Sequence, residues 1–326
     1  MADKEKKAPS QTTGSRAFHL ETYEEVKKLH PLYFDIVTKR YIWFAISLLI
    51  IIPGLISLVI QGLKMGIDFT GGSMLEMTFK SAASQTAISD TMKSVGLSGH
   101  VQLSNGDTTA LIRTETLDEA QRDKLVSALQ EKVGAIDLTS LKEDKVGPAM
   151  GQELQWNAIK ALTIAAILMI AYISIRFKFS YAIAGIIALF HDVLIVLGVF
   201  SIFQIEVDAT FVAAVLTVFG YSINDTVVIF DRMRENEARM KKNDSLEDMV
   251  DKSIWQTMRR SINTVVTVLI ALLAIFIFGG ESTKVFSLAM LIGVFSGAYS
   301  SIFIGSQIWV EIKKHMNPKR KKLAKA

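Results

Sequence analysis

The chain has 326 residues, half of them hydrophobic, a formal net charge of +4 and no cysteine, which excludes disulfides and thiolate metal sites. Its charged residues fall into blocks separated by apolar stretches of about 20 residues, the length that crosses roughly 30 Å of hydrocarbon as a helix. This distribution does not fit a soluble protein with a large core. It predicts an α-helical membrane protein.

Six apolar stretches, called spans one to six, lie at residues 41–60, 154–175, 181–203, 211–230, 262–278 and 285–310. Span one is expected to remain as an anchor, because about forty polar residues precede it and no small-residue cleavage site follows it. The predicted domains are an N-terminal segment at 1–40, transmembrane helix one at 41–62, an external domain at 63–150, transmembrane helices two to six at 151–311, and a basic tail at 312–326.

Basic residues indicate the orientation. They concentrate in the N-terminal segment, in the loop after span two, in the loop at 232–260 and in the tail, all on one side of a six-span topology. The loops after spans three and five contain a single basic residue, Lys284. Because Lys and Arg accumulate on the cytoplasmic side, both termini are expected there. The positive charge then reflects topology and contact with membrane lipid, and no nucleic-acid partner is expected.

The external loop has the pattern of a small folded domain. Alternation in "GSMLEMTF" predicts a strand, and "SQTAISDTMKSVG" has the apolar spacing of a helix. The segments "HVQLS" and "TTALIR" flank Asn105 and Gly106, a hairpin signal, and a second helix and a closing strand follow. The order predicts a ferredoxin-like α+β domain. His100 is its only histidine and no nucleophile and base pair is evident, so a binding or mechanical role is favoured and no enzyme is expected.

"GIDFTGGS", residues 66–73, joins span one to that domain. Gly71 and Gly72 permit backbone angles that other residues avoid. The stretch is either a turn into a strand or a hinge, and the residues alone do not distinguish the two. A phosphate-binding loop is not expected, because no Lys follows at the required spacing and the stretch lies on the external side.

Span four carries a polar stripe. Thr217, Tyr221 and Asp225 recur every four residues, with Gly220 and Asn224 beside them. Asp225 lies six residues before the charged end of the span, hence about 9 Å inside the boundary. An unpaired carboxylate there costs on the order of a few kcal/mol, so Asp225 must be protonated, hydrated or paired.

Two partners for a proton route are available. Arg260 enters span five at the same depth, where it forms either a static ion pair with Asp225 or a movable one that loads and unloads a proton. His191 and Asp192 in span three are a second titratable pair, which is either a packed structural pair or part of an ion route.

Several motifs resemble the SecF family of the bacterial SecDF protein-export complex. They are "FDIVTKRYIWFAIS", "GIDFTGGSMLEM", "FHDVLIVLG", "GYSINDTVVIFDRMREN" and "RRSINTVVT", in this order around one external domain. The resemblance implies a subunit of the bacterial cytoplasmic (inner) membrane that works with SecD and the SecYEG channel, with YajC and YidC as further partners. It also implies that the proton motive force drives movement of an unfolded polypeptide, with protons as coupling ion and no other cofactor.

The resemblance assigns the family's acid to Asp225 and its arginine to Arg260, with Arg259 as neighbour. The N-terminal extension through about His30 is longer than in familiar members, and its role stays open. The expected proton pathway comprises Asp225, Arg260, Asn224, Asp192, His191 and Tyr221, and the expected hinge comprises Asp68, Gly71 and Gly72. No metal site is expected.

The chain also resembles one half of the resistance-nodulation-division exporters, which pair two six-span repeats around a polar site. A partner with a matching half is therefore expected. Span six contributes a small-residue face at Gly293 and Gly297, with Ser296, Ser300, Ser301 and Gly305 nearby, which contacts either that partner or the same subunit. Two alternatives remain: a half-transporter for small molecules or lipids, which the single small domain disfavours, and a purely structural assembly subunit, which would tolerate loss of Asp225.

Overall fold

The computed structural model describes residues 23–30, 33–241 and 244–316, without the side chains of residues 281 and 282. Many of the basic residues that indicate orientation, at 4–16 and from 317 onward, lie outside the described residues. In chain order the elements are α1 (Tyr23–Leu29), α2 (Arg40–Ile60), β1 (Lys64–Met65), α3 (Ile67–Thr70), β2 (Gly72–Phe79), α4 (Gln85–Ser94), β3 (Gly99–Ser104), β4 (Thr109–Thr114), α5 (Glu119–Lys132), β5 (Ile136–Val146), α6 (Pro148–Arg176), α7 (Phe179–Ile202), β6 (Glu206–Val207), α8 (Ala209–Ala238), α9 (Leu246–Phe278), α10 (Glu281–Ser300), a π-helical turn (Ser301–Gly305) and α11 (Ser306–Met316).

Six helices in the described part of the chain are long and apolar enough to cross a membrane. They are α2, α6, α7, α8, α9 and the continuous stretch Thr283–Met316, and each coincides with one predicted span, although span three was predicted to end one residue beyond α7. The protein is therefore a multi-pass helical membrane protein.

The segment at 232–260, predicted to be a loop, is largely helical, because α8 continues to Ala238 and α9 begins at Leu246. Charged residues one helical turn apart pair near the end of α8, where Arg234 lies 3.1 Å from Asp231. Such pairs give a helix no apolar periodicity, so the pattern of hydrophobic residues did not reveal this extension.

The described chain divides into two compact units. The α/β unit comprises Leu63–Ile164 and Ile205–Val212, and the helical unit comprises the remainder. Helices α6 and α8 each begin in the α/β unit and continue in the helical unit. The α/β unit thus includes a short segment before α8 that the predicted domain, 63–150, leaves out.

The α/β unit contains a four-stranded antiparallel sheet in the order β3-β4-β2-β5, with α4 and α5 in the connections. The predicted sequence of strand, helix, strand, strand, helix, strand is present. Asn105 and Gly106 form the β3–β4 turn with φ of 53° and 69°, a left-handed geometry that these residues adopt readily. The apolar residues of these elements form one core, which includes Leu75, Met77, Phe79, Ile88, Met92, Ile112, Leu125 and Leu129.

A second, two-stranded sheet pairs β1 with β6 in parallel. Each strand has only two residues, and Lys64 is opposite Glu206. This pair attaches the chain just before α8 to the chain just after α2, within the α/β unit.

Small residues allow close helix contacts in the helical unit. A Cβ placed on Gly54 of α2 would lie 2.8 Å from the Cα of Gly198 in α7, so both positions require glycine. A Cβ on Gly293 would overlap Val218 of α8. The small-residue face of span six therefore packs within the subunit.

Candidate functional site

Asp225 is buried on α8, with 7% of its surface exposed. The Ser261 hydroxyl on α9 donates a hydrogen bond to Asp225 Oδ1 at 2.8 Å. The other oxygen, Oδ2, is buried and accepts no hydrogen bond within the described residues. An oxygen in this state is costly for an ionised carboxylate and suits a carboxyl group that carries a proton there.

Arg260 lies next to Ser261 in sequence, but its side chain is exposed, as is that of Arg259. In the described part of the chain no ion pair joins Arg260 to Asp225. The direct contact is made by Ser261. The structure therefore places Arg260 beside the residue that contacts Asp225, without an ion pair between Arg260 and Asp225.

The remaining residues of the polar stripe differ in their surroundings. The Tyr221 hydroxyl donates to the backbone oxygen of Thr264 at 3.2 Å and links α8 to α9 one turn from Asp225. Asn224 and Thr217 are exposed. The stripe thus has a part that contacts α9 and a part that no described segment of this chain covers.

Asp192 is the second carboxylate of the site, and it is fully buried on α7. Its oxygens accept hydrogen bonds from Ser222 at 2.5 Å, from Ser296 at 2.7 Å and from Ser300 at 2.7 Å. His191 Nδ1 lies 3.0 Å from Asp192 Oδ1. Both carboxylate oxygens of Asp192 therefore accept hydrogen bonds, whereas Oδ2 of Asp225 accepts none within the described residues.

His191 completes this network. Its Nε2 lies 2.9 Å from the Ser47 hydroxyl on α2, and its ring stacks on Tyr299 of α10. Together with Asp192 it connects four helices, α2, α7, α8 and α10, through polar contacts. Satisfied networks of this kind specify one packing arrangement, because breaking any member leaves a buried polar group.

The π-helical turn lies beside this network. The Ser301 hydroxyl in the turn is 2.8 Å from the Thr226 hydroxyl, next to Asp225 on α8. Single π turns inside long helices occur frequently at functional sites. This contact therefore places the π-helical turn of the sixth span against α8 at Thr226, the residue that follows Asp225.

The stretch "GIDFTGGS" begins with Gly66 directly after β1, continues through the short helix α3, and ends with the first two residues of β2. Gly71 and Gly72 have φ of 76° and 140°. A Cβ on Gly72 would lie 2.5 Å from the backbone oxygen of Thr114, so this position requires glycine. The structure shows a tight turn, and the hinge stays a prediction.

Asp68 has a role that its place in a turn did not indicate. Its Oδ2 accepts a hydrogen bond from the backbone N–H of Ala209, the first residue of α8, at 2.8 Å. A carboxylate at a helix N-terminus satisfies a free donor and complements the helix dipole. The signature stretch thus holds the beginning of the helix that carries Asp225.

Comparison with known proteins defines the family. The profile described as protein export membrane protein SecD/SecF, C-terminal, matches residues 125–315, and the SecD/SecF GG motif matches residues 56–83. SecF of Sebaldella termitidis is 39% identical over 86% of this chain and 92% of its own length. SecF of Acidaminococcus fermentans is 40% identical over 87% of this chain and 98% of its own length.

The chain belongs to the SecF family. Members of the family are named protein translocase subunits, which is a transport role and not an enzymatic one. The crystal structure of SecDF from Thermus thermophilus, described as a translocon-associated membrane protein, is similar with a TM-score of 0.79 and 29% identity over 87% of this chain. The match covers 39% of that SecDF chain, so this SecF-family chain corresponds to a part of the longer protein.

The sequence did not reveal that serine hydroxyls are the hydrogen-bond donors to the two carboxylates of this SecF-family site. Ser261 was visible only as the neighbour of Arg260, and the serines on Asp192 lie 30 to 108 residues away in sequence. Serine is common in membrane helices, so no local signal separates these from others. Three or more His, Asp or Glu residues positioned to hold a metal are not found among the described residues.

Proposed function

We propose that this chain acts with SecD to use the proton motive force in promoting translocation of secreted polypeptides through the SecYEG channel. It does so in the bacterial inner membrane, with both termini in the cytoplasm. The α/β unit is then a ferredoxin-like domain on the periplasmic side, and protons are the coupling ion without a further cofactor. The SecYEG channel, YajC and YidC stay predicted partners.

The observation that carries the proposal is the state of Asp225. Its Oδ2 is buried without a hydrogen-bond donor, while Oδ1 is held by Ser261. A carboxyl group in this position is neutral when protonated and needs a cation when ionised. Arg260 is near and exposed, so it is available as that cation. When the carboxyl group alternates between a protonated state and an ionised state paired with a cation, the local structure changes with it, and a proton gradient drives that alternation.

The exposed polar residues of the membrane helices support SecD as partner. Thr217 and Asn224 on α8, and Asn263 and Thr267 on α9, are exposed in this chain although their helices are long enough to span a membrane. Polar side chains in hydrocarbon are costly and usually face protein or a water-filled cavity. A second, SecD-like half is the partner that the SecDF relatives imply, since 38% of SecDF from Bacillus subtilis matches this chain.

The α/β unit supports a mechanical role. Its described residues form a compact core under one sheet, and His100 is exposed. A domain that holds or pulls a polypeptide needs a stable fold and a firm connection to the moving helix. It does not need reactive side chains.

The test is Asp225→Asn, measured as export into inverted membrane vesicles over a range of imposed proton gradients, together with SecD. Asparagine keeps the size and the acceptor for Ser261 but cannot exchange a proton. We expect normal assembly and normal export without a gradient, and loss of the part of export that the gradient drives.

Asp231→Asn is the matched control. Asp231 is an acid on the same helix that pairs with Arg176 at 2.9 Å near the predicted membrane boundary. We expect this variant to keep its gradient response at equal membrane abundance. Full gradient dependence in Asp225→Asn would overturn the assignment of the proton site.

A further inference from the structure

The segment before α8 contains a charged pair that the proposed function does not use. Arg113 Nε on β4 lies 2.6 Å from Glu206 Oε1 on β6, and the two side chains are only 15% and 13% exposed. The N–H of Arg113 Nε is not aligned for a hydrogen bond, so the contact is an ion pair held by charge and position. Lys64 Nζ lies 3.9 Å from Glu206 Oε2 and adds a second cation.

Backbone contacts hold the same segment in place. The N–H of Gly66 donates to Val207 O at 2.8 Å, beside the β1–β6 pair. A Cβ on Gly66 would lie 3.1 Å from Glu206 Oε1, so glycine leaves room for the carboxylate. Asp68 then caps Ala209. Glu206 is thus fixed three residues before the first turn of α8.

Arg113 connects this segment to the four-stranded sheet. It is opposite Met74 of β2 and His100 of β3, so β4 is an inner strand with a partner on each side. Inner strands are the most firmly held part of a sheet, because both edges are hydrogen-bonded. The Arg113–Glu206 pair therefore joins the start of α8 to a rigid part of the α/β unit.

The charges around Glu206 make its cations necessary. Burial raises the pKa of the Glu206 carboxyl, and Arg113 and Lys64 offset that effect in part, whereas Asp208 and Asp68 add to it. Removal of Arg113 would leave the buried carboxylate of Glu206 with Lys64 at 3.9 Å as its remaining cation, against Asp208 and Asp68. The segment would then have to move toward water or take up a proton.

We propose that Glu206 is a positioning residue that acts through Arg113. It fixes the first turn of α8 to the sheet, so that displacement of α8 at Asp225 is passed on to the α/β unit. Ala209 and Asp225 lie on one uninterrupted helix, Ala209–Ala238, which transmits such a displacement. The proposal rests on the proposed function, because Asp225 supplies the displacement.

The first test compares Glu206→Gln, Arg113→Gln and Arg113→Lys in the full chain with SecD, in vesicles at equal abundance. We expect the two glutamine variants to lose gradient-driven export by roughly tenfold, the factor that corresponds to about 1.4 kcal/mol of coupling. Arg113→Lys keeps the charge and should recover part of that loss. Export without a gradient should remain.

Glu143→Gln is the control, because Glu143 pairs with Arg122 at 3.1 Å in the same α/β unit and is absent from the segment before α8. We expect no change in its export. Gradient-driven export at the parent level in Glu206→Gln would overturn the proposal. Equal loss of both kinds of export with a lower melting temperature would mark a structural role only, and would also overturn it.

A second test follows hydrogen exchange of β4 in the full chain with SecD. We expect Asp225→Asn to change exchange in Thr109–Thr114, and expect Glu206→Gln to abolish that change. If the altered exchange of β4 persists in a variant that carries both Asp225→Asn and Glu206→Gln, the proposed coupling is overturned. If Asp225→Asn instead keeps full gradient dependence, the proposed function itself fails, a result that differs from failure of Glu206→Gln alone.

Discussion

Two buried carboxylates in the helical unit have opposite surroundings. Asp192 accepts hydrogen bonds from hydroxyl groups on both oxygens, whereas Asp225 has one engaged oxygen and one without a donor. Hydroxyl donors on α8 and α10 hold both oxygens of Asp192, whereas Oδ2 of Asp225 is left without a donor among the described residues. The geometry therefore favours Asp192 as an organiser of the helices and Asp225 as the residue that changes state.

Asp192→Asn tests this division of roles. The amide nitrogen cannot accept, so at least one serine hydroxyl loses its partner, and we expect the free energy of unfolding to fall by roughly 1–3 kcal/mol. Asp225→Asn should cost less, because Ser261 keeps an acceptor. Thermal unfolding of the full chain in detergent, followed by tryptophan fluorescence, measures both. An Asp192→Asn protein as stable as the parent, with only its gradient response lost, would instead place Asp192 on the proton route.

Arg260 is expected to matter more than Arg259, because Arg260 directly precedes Ser261, whose hydroxyl contacts Asp225. Arg260→Ala should impair gradient-driven export severely and Arg260→Lys substantially, since a compact ammonium cannot reproduce the fork of donors that a carboxylate accepts. Arg259→Ala, the matched control, should have a much smaller effect. Export is compared at equal membrane abundance over a series of imposed gradients.

Ser261→Ala separates the direct contact from the charge. Loss of one hydrogen bond to a carboxyl group should cost about 1–2 kcal/mol of local stability and leave the cation in place. We therefore expect a milder defect than for Arg260→Ala.

The arginine series has its own contradicting outcome. If Arg259→Ala is the most damaging variant of the series, the register of this motif is misread by one residue and the pairing with Asp225 must be redrawn.

At the residue scale, the sequence predicted those site residues that are ionisable and lie within an apolar span. Asp225, His191 and Asp192 were found because ionisable groups are rare in such helices. The hydroxyl partners were not found, because a serine donates to its own helix backbone equally well and carries no sign of a distant acceptor. Asp68 was found as part of a motif, but its contact with Ala209 depends on tertiary structure.

At the scale of elements, the N-terminal end of α9 supports the segment before α2. Asp251 is buried on α9 and its Oδ1 accepts backbone N–H groups of Ile36 at 3.0 Å and of Val37 at 3.1 Å. The Trp255 indole donates to Phe34 O at 3.2 Å. The segment between the N-terminal extension and α2 thus packs on the helix that carries Ser261.

Replacing Asp251 should release this segment. Asp251→Ala leaves two backbone donors without an acceptor, and we expect a loss of roughly 1–3 kcal/mol for each that stays buried, with faster proteolysis at residues 33–39. Asp251→Asn keeps one acceptor oxygen and should lose less. Asp248→Asn, an exposed acid one turn earlier, is the control and should behave as the parent. Unchanged proteolysis in Asp251→Ala would show that Trp255 holds the segment without Asp251.

Elements with a strong period were predicted well, and elements without one were not. β2 matches the predicted strand "GSMLEMTF" residue for residue, and each span coincides with a helix. The strands β1 and β6 have two residues each, too few to alternate. The π-helical turn interrupts an apolar helix without changing its composition, so no pattern marks it.

At the scale of the whole molecule, the sequence predicted one half of a larger assembly. The polar stripe on α8 suggested a wall of a central site, and its exposure in this chain agrees with a face that needs a partner. The division into units was less predictable. The segment Ile205–Val212 belongs to the α/β unit because of its pairing with β1, a long-range contact that no local pattern reveals.

The α/β unit should fold without the membrane helices. Its core residues come from β2 to β5, from α4 and α5 and from the turns between them, so the fragment 66–146 contains all of them. It loses the β1–β6 pair and the contacts of Asp68 and Arg113 with the segment before α8. We expect this fragment to show a single cooperative transition in urea, monitored by circular dichroism.

Two variants of that fragment make the expectation sharper. Ile112→Ala removes a fully buried side chain from an inner strand and should lower the free energy of unfolding by roughly 2–5 kcal/mol, because it creates a cavity. Lys142→Ala on β5 removes a side chain that is 72% exposed, so it should change stability by less than about 0.5 kcal/mol. A broad, non-cooperative transition in the parent fragment, or equal effects of the two variants, would show that the core needs the helical unit to form.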